Sequence, residues 1–146
     1  MLETCKSCNR TLYGEGVLPV EATKQQDGKS FVVEQLEALS NSSNTEDQER
    51  YDDLVARFEQ LAAEGTLAQP RMYRSLHTRE GLWEIKHGTS RVGCYESTVS
   101  DSHSRAIRLT HFWTKDKSRT AENKTPLKQK NFGDRLIRED REYIEH

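Results

Sequence analysis

Long apolar runs are missing from this chain. No stretch of about 18 apolar residues occurs, so no segment is suited to crossing a membrane. The N-terminus lacks the basic-then-apolar pattern of an export signal, which points to the cytoplasm. Cysteine is scarce: three in 146 residues is an odd, sparse set, poorly suited to a disulfide framework. Cys5 and Cys8 form a close pair, but structural zinc normally takes four ligands, and Cys94 falls inside an expected strand. A glycine loop of the phosphate-cradling kind, a Ser/His/Asp arrangement and internal repeats are also missing. No metal or cofactor is therefore expected. Hydrophobic residues make up 33% and charged residues 32%, which allows one domain with a modest core.

What is present is a segregation of charge. The formal net charge is only −2, yet residues 1–70 hold 6 Lys and Arg against 13 Asp and Glu. Residues 71–130 reverse this, with 13 Lys and Arg against 6 Asp and Glu. A basic block that coincides with expected strands reads as a footprint for phosphate, with RNA the leading partner. Ordinary solvated surface charge is the competing account for any single Lys or Arg.

The periodicity gives an order of elements. Residues 1–15 read as a loose leader, and the domain is expected over 16–146. A first strand is expected over Gly16–Thr23, with Pro19 at its edge or start. After the Asp27-Gly28 turn, Ser30 is placed to cap a helix from about Phe31 to Leu39. Thr45, followed by Glu46, Asp47 and Gln48, reads as the start of a second helix ending near Ala63, with Gly65 after its last turn. Tyr51, Leu54, Phe58 and Leu61 form its apolar stripe. Residues 66–80 read as a connector. Three strands follow, around 81–86, 91–95 and 107–113. Simple alternation puts Trp83 and Ile85 opposite Leu82, Glu84 and Lys86. It puts Arg91, Gly93 and Tyr95 on one face, and Ile107, Leu109, His111 and Trp113 together against Arg108, Thr110 and Phe112. Pro126 opens a last helix reaching about Tyr143, weakened in its middle by Gly133.

This order, and the phrases Asp27-Gly28 through Leu39, Gly81-Leu82-Trp83-Glu84-Ile85-Lys86, Arg91 through Tyr95, Leu109 through Lys115 and Thr125-Pro126, resemble the RelE/ParE toxin superfamily, in its HigB-like, phage-derived branch. The resemblance covers about residues 16–143. It implies an α+β fold: a small antiparallel sheet packed by an N-terminal helical hairpin and a C-terminal helix. It also implies a type II toxin: a metal-independent endoribonuclease that cuts mRNA, mostly on the ribosome, and so stops translation. The implied partners are mRNA, the ribosome and a protein antitoxin, in this branch often of helix-turn-helix type. Three positions depart from the family pattern. Lys86 stands where an arginine is usual, Thr114 replaces one of two paired lysines, and Thr110-His111 replaces a histidine-glycine order.

Cleavage of this kind needs a group to take the 2′ proton, a cation for the phosphate and a proton for the leaving oxygen. Lys86 and Arg91 are the first candidates for the phosphate, and Lys86 also for the base. His111 is the titrating candidate; its alternation with Leu109 and Trp113 argues equally for a packed ring. Tyr95 shares the expected face of Arg91. Arg71, Arg74, His87, Lys115, Lys117 and Arg119 are expected RNA contacts. The same superfamily includes members that bind DNA gyrase without cutting RNA. A growth inhibitor or phage-encoded binding module of that kind is the alternative.

Overall fold

A computed structural model describes residues 3–5, 10–13, 17–98, 105–115 and 124–145. Two helices follow the third strand. Helix α1 (Phe31–Ser40) begins where Ser30 Oγ accepts from Val33 N–H, as its cap position requires. Helix α2 (Thr45–Glu64) is capped one residue earlier than the sequence suggests: Asn44, not Thr45, accepts from Glu46 N–H at 2.8 Å. Gly65 ends α2 at φ 76°, a left-handed position that favours glycine. The last helix, α3, spans Leu127–Glu145.

The strands are β1 (Glu3–Cys5), β2 (Arg10–Tyr13), β3 (Val20–Ala22), β4 (Tyr73–Ser75), β5 (Trp83–His87), β6 (Ser90–Ser97) and β7 (Ala106–Thr114). They form one sheet in the order β1-β2-β3-β7-β6-β5-β4. The fold is α+β, but the sheet is larger than expected and is not purely antiparallel. Strand β3 runs parallel to β7, with Val20 opposite Ile107 and Ala22 opposite Leu109. The hairpin-linked strands β4 to β7 must alternate in direction. The first core strand returns through two helices and three strands, so its direction is not tied to a hairpin. The connector holds β4, which pairs antiparallel with β5. The N-terminal leader supplies β1 and β2, paired outside β3.

One face of the sheet carries the main core. Val20, Ala22, Ile85, Val92, Cys94, Ile107 and Leu109 pack there with Val32 and Leu36 of α1 and Leu54, Phe58 and Leu61 of α2. This is the helical hairpin that the apolar stripes predict. The opposite face is partly covered by α3, where Ile137 packs with Leu76, Leu82 and Tyr95. Gly133 lets α3 approach closely: a Cβ there would lie 2.6 Å from Leu82 Cδ2. The residue that weakens the helix by propensity is thus the one that seats it.

Strict alternation fails in β7. Val92 opposes Phe112, but Cys94 opposes Leu109. Two steps on β6 match three on β7, so β7 carries a bulge. Beyond the bulge the side chains exchange faces. Ile107, Leu109 and Phe112 belong to the main core. His111 and Trp113 lie on the α3 face, with His111 stacked on Trp113 at 4.7 Å and edge-on to Phe132 of α3 at 4.9 Å. The expectation that His111 shares a face with Leu109 is therefore corrected.

Candidate nucleic-acid interface

At the end of the sheet furthest from β1, the start of β4, the end of β5 and the start of β6 converge on α2. They enclose an open groove of about 510 Å³, lined by Arg57, Arg71, Met72, Lys86, His87, Gly88 and Arg91. That volume lies within the roughly 300–1,000 Å³ usual for ligand sites. Register explains the convergence. Lys86 is paired directly with Arg91 across β5 and β6, and Lys86 N–H donates to the Met72 carbonyl at 2.9 Å. Gly88, at φ 57°, makes the tight turn between the two strands. Lys115 reaches the same corner, because its N–H donates to the Thr89 carbonyl at 2.7 Å.

The cations here are of two kinds. Arg74 and Arg91 share one buried carboxylate, Glu84. Arg74 Nε lies 2.7 Å from Glu84 Oε2 and Arg91 Nε 3.9 Å from Oε1, while Thr125 Oγ1 donates to Glu84 Oε1 at 2.6 Å. Arg91 Nη1 also donates to the carbonyls of Gly88 (2.7 Å) and Ser90 (2.9 Å), which fixes its plane. Lys86, Arg71 and Lys115 have no carboxylate within ion-pair distance among the described residues. Burial, followed by the charge of Arg74, holds the Lys86 ammonium below its ordinary pKa; Glu84 opposes this, and Arg91 and Lys115 add to it. Burial also lowers Arg91, against the pull of Glu84. A groove with more cations than carboxylates attracts an anion, and a partly desolvated lysine among cations is the kind that gives up a proton most readily.

The structure brings Lys86, Arg91, Arg71 and His87 to this groove, with Arg74 and Lys115 at its edge. His87 is held from α2: Arg57 Nη2 lies 2.6 Å from its Nδ1 and Asp53 Oδ2 3.3 Å from its Nε2. Tyr95 and His111 are not brought there. Tyr95 is 2% exposed and donates to Asp140 Oδ2 at 2.5 Å. His111 is buried, its Nε2 3.0 Å from Gln129 Oε1, and burial pushes its pKa down to about 4. Its ring is therefore neutral near pH 7. Lys117 and Arg119 lie outside the described residues, as does Cys8.

Sequence reasoning missed Arg57, which lies on a helix dominated by acids. Its only local signal is a position four residues after Asp53, on the same side of α2. It also missed a second charge cluster. Arg108 is fully buried, with Nη1 2.6 Å from Glu21 Oε1, Nε 2.7 Å from Asp140 Oδ2 and Nη2 2.9 Å from Asp140 Oδ1. Lys24 N–H donates to Asp140 Oδ1 at 2.8 Å.

No protein-family model matches the chain, and comparison with the curated proteins finds no match. Among the described residues, no helix is long and apolar enough to cross a membrane.

Proposed function

We propose that this protein is a RelE/HigB-like toxin of a type II toxin–antitoxin pair: a metal-independent endoribonuclease that cuts mRNA in the cytoplasm and stops translation. The observation that carries the reading is the meeting of Lys86, Arg91 and Arg71 in one open groove. In this reading the phosphate of a single-stranded RNA sits against Arg91, whose guanidinium plane is fixed by backbone carbonyls. Lys86, with its lowered pKa, takes the proton of the 2′-hydroxyl. The 2′-oxygen bonds to phosphorus, the bond to the 5′-oxygen breaks, and that oxygen is protonated from water at the open mouth. The products are a 2′,3′-cyclic phosphate and a free 5′-hydroxyl. The growing charge on the phosphate is stabilised by Arg91 and its neighbours. His111 and Tyr95, both buried, hold α3 against β7 and β6 through Gln129 and Asp140. The ribosome presents the mRNA, and a protein antitoxin of helix-turn-helix type holds the toxin inactive.

The burial of Tyr95 and His111 favours one second reading, a non-enzymatic inhibitor that holds an acidic partner, such as a gyrase-like target, in the same groove. Mapping of transcript 5′ ends after brief induction separates the two. We expect new internal 5′ ends within minutes. We also expect Lys86→Ala with Arg91→Ala to abolish both cleavage and growth arrest while circular dichroism stays native. Growth arrest with intact transcripts, or an equally toxic folded double variant, sinks the nuclease reading.

A further inference from the structure

The groove has a second wall that the cleavage chemistry does not use. Arg57, on α2, faces it across the end of β5 from Arg91. Among the described residues its guanidinium meets Gln60 Oε1 at 3.5 Å, Met72 Sδ at 3.4 Å and His87 Nδ1 at 2.6 Å. Among the described residues, no carboxylate lies within ion-pair distance of it. Asp53, one turn earlier, is engaged by the other side of the His87 ring at 3.3 Å. The row Asp53, His87, Arg57 therefore fixes the guanidinium against the groove and leaves its charge unneutralised. Exposed Arg71 stands beside it at the start of β4. Met72 supplies an apolar surface between them.

We infer that Arg57 and Arg71 form a second phosphate subsite, so that the groove grips an extended single-stranded oligonucleotide at two successive phosphates. This rests on the reading of the Lys86–Arg91 end as a phosphate site. The ligand class follows from shape and charge. A groove at the end of one sheet admits a single strand with unstacked bases, not a duplex. The Arg57 guanidinium, held by His87, and the exposed Arg71 fork match phosphate oxygens better than ammonium groups do.

The test is the salt dependence of binding, measured by fluorescence anisotropy with a 2′-deoxy hexanucleotide. That probe lacks the attacking hydroxyl and is not cut by the proposed chemistry. Each phosphate contact contributes about 0.7 to the slope of log affinity against log salt for a single strand. Together they hold one phosphate, so Arg57→Ala with Arg71→Ala should lower the slope by about 0.7, and Arg57→Lys with Arg71 intact should keep most of the wild-type slope. If Arg57→Ala unfolds the protein, Arg71→Ala alone should lower the slope by about half as much, roughly 0.35. An unchanged slope in the folded variants overturns the subsite. RNA cleavage by the wild-type protein is scored separately, on mRNA with ribosomes supplied. Cleavage with an unchanged slope removes the subsite and keeps the nuclease. An altered slope without cleavage keeps the subsite and removes the nuclease. A wild-type protein that binds no oligonucleotide removes the subsite, and the cleavage arm decides the nuclease.

Discussion

Arg108 and Lys86 stand on the same face of one sheet, two strands apart, in opposite electrostatic settings. Arg108 is closed under α3, with two carboxylates and the backbone carbonyl of Ala22 around its guanidinium. Burial works against its charge, but the hydrogen bond and the charge of Asp140, helped by Glu21, hold its pKa above the ordinary value. Lys86 stands where α3 no longer covers the sheet. Its neighbours are three cations and one carboxylate that Arg74 already engages. Burial and like charge both act against its proton. A buried charge persists only when it is fully paired. A partly exposed surplus persists because water screens it, and it remains free to attract an anion. The first cluster locks β3, β7 and α3 together; the second leaves binding energy unspent.

The comparison breaks most sharply at Arg108. Replacing it by Ala leaves Glu21 and Asp140 buried with no guanidinium between them. Removal of one partner from a buried ion group typically costs about 3–5 kcal/mol. Urea unfolding should show a loss of that size, and a loss below about 1 kcal/mol would contradict the role assigned to the cluster.

His111 lies between the two clusters and sharpens the contrast through pH. Its folded pKa of about 4 is below the ordinary 6.5. As pH falls below about 6.5 the unfolded chain takes up the proton first. The stability owed to the neutral ring is complete above that pH and drains away until about pH 4. Between pH 7 and pH 5 the protein should lose about 2 kcal/mol. His111→Gln should flatten this part of the profile in urea titrations at several pH values; an unchanged slope would place the titration elsewhere.

Lys86→Ala should have the smallest effect on stability, within about 0.5 kcal/mol. Its sign should be stabilising at low salt, because one of several like charges is removed. Thermal unfolding at low and high ionic strength reads this directly. A large destabilisation would mean that Lys86 serves the fold in the way Arg108 does.

Local residue patterns specify the elements that rest on local rules. Ser30, Gly65 and the stripe of Leu54, Phe58 and Leu61 fixed α1 and α2, because caps and 3.6-residue periodicity act within a few positions. The Lys86 and Arg91 pair was legible as well, since both lie on short strands joined by a tight turn. Long-range packing sets which strand stands beside which. It placed β3 parallel to β7 and put the bulge in β7, which carried His111 and Trp113 to the other face. It brought Glu21 to Arg108 across 87 residues and Asp140 to Arg108 across 32. Arg57 joined the groove for the same reason. Turn geometry sets register within a hairpin such as β5–β6, whereas pairings between segments far apart in the chain depend on contacts that no local pattern of residues encodes.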